Sequence, residues 1–327
     1  KMFLSFLTQL SGSALDSPFG SVVSLGQNLS DAWVNFVKTS GYSEHMIFIV
    51  GTMCVHSTVF WSMNAFYYIC YRYNLWPELK IQGKTLPNYE LAKECLVHCF
   101  INHFLVAPVI LYTGYPMMCY FGMKVGTPIP DWTVFLRDII VSVIVNDTLF
   151  YWGHRFLHHK SVYKYVHKQH HTFKVNTGIS SEYAHPIEHI FSNIVPVAGN
   201  FLMGSHIIVF WVWLVIRVGE IVDTHSGYDF KWSPYGLFDW QGGADRHEFH
   251  HSHEHQGCYG SFTMFWDWYC NTDDYYNKYR ARKDAKKAAS KKQQEMVKEG
   301  KIVGGGRSIT DSGVEESKEA PIDLKSE

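Results

Sequence analysis

Residues 46–71, MIFIVGTMCVHSTVFWSMNAFYYICY, run for 26 positions without an Asp, Glu, Lys or Arg. Crossing the hydrocarbon core of a bilayer as a helix takes about 20 apolar residues. A second uncharged run, Cys95–Met123, is 29 residues long, and a third, His189–Ile216, is 28. Three such runs are hard to place inside a soluble core, so an integral membrane protein is expected. The third run contains Pro196, Gly199 and a Gly204-Ser205-His206 break, which reads as two short helices in a hairpin. A weaker segment, Ile139–Trp152, carries Asp147 and is read as reaching only the interface. The expected fold is all-α and polytopic, with about four transmembrane helices in two hairpins.

Working outward, residues 1–45 read as an N-terminal interfacial segment. The Phe3–Leu10 run imitates a signal peptide, but no Ala-x-Ala site follows it. Position 1 is Lys rather than Met, so the natural start is expected upstream. Residues 46–123 form the first hairpin, and 124–281 form a catalytic region that includes the second hairpin, 189–222. Residues 282–327 are a tail, basic and then acidic. Between Lys278 and Lys301 there are ten Lys or Arg against three Asp or Glu. That stretch reads as a helix on the cytoplasmic side, and the acidic remainder reads as disordered.

Charged residues make up 18% of the 327-residue chain, below the roughly 25% usual for soluble domains. The net charge of −1 offers no basic face for nucleic acid. Seven cysteines, five of them in apolar runs, read as reduced thiols, and the length excludes a small disulfide scaffold.

The anomaly is histidine, nineteen in all. His154–His171 holds six and His247–His255 holds five. His154 and His158 stand at i and i+4, one above the other on a helix. His167, His170 and His171 stand at i, i+3 and i+4, and His247, His250 and His251 repeat that spacing. At box one, His154 pairs with either His158 or His159. Eight imidazoles at ligand spacing, in two clusters flanking a hairpin, point to a metal site of the kind that suits Fe, Zn, Cu or Ni. A hairpin that enters and returns puts both clusters on one side of the membrane, and so many ligands imply two metals. Asp147, seven residues before His154, lies on the same helical face. It either accepts the outer N–H of a ligating imidazole or serves as a cap.

Two other patterns are weighed against this. His247-Glu248-Phe249-His250-His251 contains the zinc-protease pattern His-Glu-x-x-His, and His185-Pro186-Ile187-Glu188-His189 its inverse. A protease needs three protein ligands and an open position, which leaves most of the histidines unexplained. A metal transporter would place its ligands near mid-membrane, whereas only His56, His98, His103 and His206 fall within the spans.

His154-x-x-x-His158, His167-x-x-His170-His171 and His247-x-x-His250-His251 resemble the three histidine boxes of the fatty acid hydroxylase/sterol desaturase superfamily. Asn146-Asp147-Thr148, Glu182-Tyr183-Ala184-His185-Pro186-Ile187-Glu188 and His225-Ser226-Gly227-Tyr228-Asp229 resemble the 4-methylsterol monooxygenases within it. The likeness covers about Val34 to Tyr279. It implies transmembrane helices under a cytosolic helical cap, in the endoplasmic reticulum, holding a dinuclear iron centre that zinc can occupy in recombinant protein. It further implies O2 chemistry on a sterol 4α-methyl group, with electrons from NAD(P)H through cytochrome b5 and its reductase. Other sterol demethylation enzymes would then act as partners. Superfamily members carry an extra histidine pair between boxes two and three. His225 matches the first, but Asp229 stands where the second is expected, so the ligand number of the second metal stays open. Asp229 and His185, with Asp147, are expected to back the ligands without meeting the metal.

Overall fold

The structure, a computed structural model, describes residues 18–253 and 257–299. Among the described residues it is all-α, with isolated bridges but no strand. The Phe3–Leu10 run and the acidic 302–327 stretch lie outside the described residues. Helix α1 is Pro18–Thr39 and α2 is Glu44–Arg72, where the Ser43 side chain accepts the Met46 amide as N-cap. After a loop, α3 (Tyr89–Ile101), a π-helical turn (Asn102–Val106) and α4 (Ala107–Tyr120) follow one another without a break. The Asn88 side chain starts α3 by accepting two amides, a normal N-cap role. Helix α5 (Trp132–Leu157) starts at Asp131 in the same way.

Helices α6 (Pro186–Met203) and α7 (Ile207–Thr224) form the second hairpin, turning at Gly204-Ser205-His206. Gly204 has φ +55 and caps α6 in the left-handed region that favours glycine. Helix α6 lies so close on α5 that a Cβ at Gly199 would stand 2.5 Å from Ser142 Cα. The Asn200 side chain donates to Ser142 Oγ at 2.7 Å beside it. Helix α7 lies on α2, where Trp211 Nε1 donates to Thr52 Oγ1 at 3.0 Å and Tyr67 donates to Asp223 at 2.5 Å.

Among the described residues, two helices are long and apolar enough to cross a membrane, Glu44–Arg72 and Tyr89–Tyr120. The four-helix expectation is met only this far. Helices α6 and α7 have 18 residues each, and the last two turns of α7 bury Arg217, Glu220 and Asp223. A segment carrying three ionisable groups is costly to hold in lipid, and here those groups face the protein. Arg217 pairs with Glu220, which also accepts from Ser261, and Asp223 accepts from Tyr67 and Ser233.

All seven cysteines are free thiols; Cys70, Cys95, Cys99 and Cys258 are buried, but Cys54 and Cys119 face outward. Residues up to Tyr276 form one compact unit, and a second begins at Asn277. Helix α8 (Gly243–Ser252) belongs to the first. Helix α9, Asp274–Lys298, carries the basic stretch, so the part of the expected tail from 282 to 298 is helical.

Candidate metal centre

Nine histidines gather in the first unit as two adjacent groups. The first is His154, His158, His167, His171 and His250; the second is His170, His225, His247 and His251. Each group's candidate ligand atoms lie within 4.8 Å of one another. They come from the end of α5, the irregular 164–172 segment, the end of α7 and α8. The i, i+3, i+4 spacing divides each triplet between the groups: His167 and His171 enter the first, while His170 enters the second. In α8, His250 enters the first and His247 and His251 the second. The two groups touch where the rings of His171 and His251 stack, with centroids 4.5 Å apart.

The ring nitrogens are arranged by function. Nδ1 of His154 faces Tyr259 O at 3.1 Å, Nδ1 of His250 faces Gly257 O at 2.7 Å, and Nδ1 of His225 faces Ile221 O at 2.8 Å. A carbonyl oxygen only accepts, so each of these Nδ1 atoms carries the hydrogen and each Nε2 keeps its lone pair. Nδ1 of His167 faces the Glu188 carboxylate at 2.7 Å. The Nε2 atoms then converge: His158 on His250 at 3.0 Å, and His171 on His167 at 3.1 Å and on His158 at 3.2 Å. In the second group, His247 lies 2.9 Å from His225 and 3.1 Å from His251.

Where both Nε2 atoms keep their lone pairs, as in His154 and His167 at 3.2 Å, the two repel unless an electrophile stands between them. With metal–nitrogen bonds of about 2.1 Å, neighbouring ligands at right angles lie about 3 Å apart. The donor set therefore fits a metal in each group. Burial and the neighbouring imidazoles also hold the rings neutral, the form that ligates. His158 is pushed down to about 2 and His170 to about 3, desolvation first and His154 second, and His247, His250 and His251 fall well below the ordinary histidine value.

The sequence left His158 and His159 open at box one. Helix α5 ends at Leu157, with His158 as its C-cap, turned into the first group. His159 is exposed and accepts the Ser161 amide through Nδ1, starting the next turn. It stands outside both groups, because the chain changes direction between the two residues.

The three expected backing residues are placed elsewhere. Asp147 accepts the Phe262 and Thr263 amides at 3.0 and 2.9 Å and touches no imidazole. It fixes the loop whose Tyr259 carbonyl holds His154, so it acts one step further back. His185 caps α6 by accepting the Ile187 amide. Asp229 accepts from Lys231 at 2.5 Å. The carboxylate that does back a histidine is Glu188, buried on α6; only its place in the Glu182–Glu188 segment signalled it.

Both protease patterns come apart in the fold. Glu248 points away from the histidines to Gln82 and the Asn176 amide. In the inverse pattern, His185 caps a helix, Glu188 backs His167, and His189 Nδ1 lies 3.5 Å from Asn102 Nδ2.

The fatty acid hydroxylase family model matches residues 139–272, the segment that carries all nine histidines. A methylsterol monooxygenase of Arabidopsis thaliana is 34% identical over 246 residues, covering 74% of this chain and 92% of that protein.

The chain belongs to the fatty acid hydroxylase family.

A very-long-chain aldehyde decarbonylase of Oryza sativa subsp. japonica is 35% identical over 263 residues, 79% of this chain and 97% of that protein. A putative methylsterol monooxygenase of Dictyostelium discoideum is 31% identical over 259 residues, 79% and 95% respectively. No solved structure matches. Membership of the fatty acid hydroxylase family makes this chain an oxidoreductase, and with the two histidine groups it points to a metal site, iron in kind.

Proposed function

We propose that the nine histidines hold two irons, five ligands to one and four to the other. The protein is then a membrane-bound, O2-dependent monooxygenase that oxidises the 4α-methyl group of 4-methyl and 4,4-dimethylsterols stepwise to the carboxylate. The observation that carries this reading is the convergence of nine Nε2 atoms beside the two segments that resemble methylsterol monooxygenases. Glu188, from the first segment, backs His167, and His225, from the second, joins the four-histidine group. The relatives named methylsterol monooxygenase support it as well.

Iron supplies the oxidising power that an unactivated methyl C–H requires. The chain's own residues orient it and choose the carbon. Tyr259 O, Gly257 O, Ile221 O and Glu188 fix the imidazole tautomers, as the outer partners of metal-bound histidines do. A cavity against His154, His167, His170, His225 and His247 has Phe150, Leu157, Phe191 and Ile221 as its apolar wall. Such a wall suits a hydrocarbon ring edge, with the rest of the sterol in the bilayer. Electrons come from NAD(P)H through cytochrome b5 and its reductase, and the setting is the endoplasmic reticulum membrane with the site toward the cytosol. Zinc occupies the same nitrogens when iron is scarce.

The test supplies a 4,4-dimethylsterol, O2 and NAD(P)H with cytochrome b5 and its reductase. Accumulation of the 4-carboxylate supports the reading. A new ring double bond, or a hydroxylated side chain with the 4-methyl intact, moves the protein elsewhere in the family. One second reading has an observation behind it, the relatives named very-long-chain aldehyde decarbonylase. Loss of the carbonyl carbon from a very-long-chain aldehyde, with the sterol untouched, would favour that reading.

A further inference from the structure

A third group of metal-ligating side chains lies apart from the nine histidines, between the two membrane-length helices and the 178–182 turn. His56 is in α2, His103 is in the π-helical turn between α3 and α4, and Glu182 ends the Gly178–Glu182 3-10 turn. Their candidate ligand atoms lie within 4.8 Å of one another. Nε2 of His103 is 2.7 Å from Glu182 Oε1, and Nε2 of His56 is 3.9 Å from the same oxygen. His103 is buried, and Glu182 Oε2 is buried with no hydrogen-bond partner.

We infer that His56, His103 and Glu182 bind a third divalent metal of the zinc class, which staples the first hairpin to the catalytic region. Ionisable groups within membrane-length helices are expensive and mark functional sites. A carboxylate with one oxygen unpartnered is the costly member here. Two neutral imidazoles and one carboxylate around a divalent cation would leave a single net positive charge. The geometry is close to what that needs. A tetrahedron with bonds of about 2.1 Å has edges of about 3.4 Å, and the measured 2.7 and 3.9 Å fall on either side. The 3.9 Å separation is too long for a hydrogen bond, so His56 faces the carboxylate without pairing to it. His103 sits in the one π turn among the described helices, a feature frequent at functional sites. Three protein ligands leave a fourth position for water.

This inference does not rest on the two-iron reading, and the experiment separates them. Full-length protein in lipid nanodiscs is loaded with Zn(II), washed, and its metal counted per chain by mass spectrometry. His103→Ala and Glu182→Gln should each hold one metal fewer than wild type, while His171→Ala should keep the metal that they lose. If His103→Ala fails to fold, His56→Gln serves instead, with Zn(II) affinity at this site expected to fall at least tenfold. Equal metal content in wild type, Glu182→Gln and a folded His103→Ala or His56→Gln would overturn the third site. Loss of the same single metal in His171→Ala and His103→Ala would overturn it too. An unchanged count in His171→Ala alone would strike the nine-histidine reading and leave this one standing.

Discussion

Helix α2 turns Val50, Phe66, Tyr68 and Ile69 outward and keeps Thr52, Asn64 and Tyr67 inside with Phe48 and Phe60. The second membrane-length helix does the same, with Val97, Phe104, Leu105, Val109 and Tyr112 exposed and His103 buried. The region around α8 also has a polar interior, but a far denser one: nine imidazoles, Glu188, Glu248 and Asp267 are packed within it. The difference lies in what answers the polar groups. On the two membrane-length helices some buried polar side chains are met singly, as Thr52 by Trp211 or Asn64 by the Phe60 carbonyl. Around the histidines, several of the partners are themselves held. Asp147 fixes the 262–263 backbone, Asp267 accepts the Tyr259 and Gly260 amides, and Tyr259 O then holds His154. Side-chain changes should therefore cost little on the outward faces of the membrane-length helices and propagate among the histidines.

That contrast can be broken at its strongest point first. His171→Ala removes the Nε2 that meets both His158 and His167, and should abolish turnover and the metal of the five-histidine group. Chelation of the wild type should reproduce the loss, and metal content read beside activity checks both. Next, Glu188→Ala leaves the His167 Nδ1–H without its acceptor. Outer partners of this kind are worth about 10–100-fold in metal affinity or activity. Glu188→Gln, which keeps an acceptor, should recover part of it in a competition assay with a metal indicator.

Acid should separate the regions as well. His158 and His170 are held down to about 2 and about 3 when folded, against an ordinary value of 6.5. The unfolded chain therefore binds more protons below pH 6.5, and the stability of metal-free protein should fall as pH drops from there toward those values. Melting curves of chelated protein at pH about 7.5 and about 5.5 test the sign within the range where histidine normally titrates. A melting temperature that rose in acid would contradict it.

Asp147→Ala leaves two amides unanswered and should cost about 1–3 kcal/mol, read by denaturant unfolding. It should slow turnover less than the loss of Glu188, because it acts on His154 through a loop. At the small end, His159→Ala removes one cap and should cost about 0.5–1 kcal/mol with turnover retained. Leu105→Ala on the lipid face should cost less than about 0.5 kcal/mol.

The sequence made some of this legible for physical reasons. Two of the three uncharged runs fall on the membrane-length helices, because lipid tolerates little charge, and Gly204-Ser205-His206 marks a turn wherever it falls. Histidine spacing reports which residues share a helical face. It does not report where the helix stops, and His158 and His159 are separated only by α5 ending at Leu157. Asp147 and His154 do share a face, but the 259–263 loop lies across it and takes both side chains. Glu188 backs His167 across 21 residues, a contact that no local spacing encodes. The uncharged run stops at 216, but α7 continues to Thr224 with Arg217, Glu220 and Asp223 aboard, two residues past the hairpin end expected at 222.

The central claim is that two metals sit among nine imidazoles, five around one and four around the other. Anomalous diffraction at the iron edge, on crystals of iron-loaded protein, tests it most directly. The account predicts one peak at about 2.1 Å from Nε2 of His154, His158, His167, His171 and His250, and a second at the same distance from His170, His225, His247 and His251. A single peak among the nine, or a peak coordinated by His159 in place of His158, would contradict it.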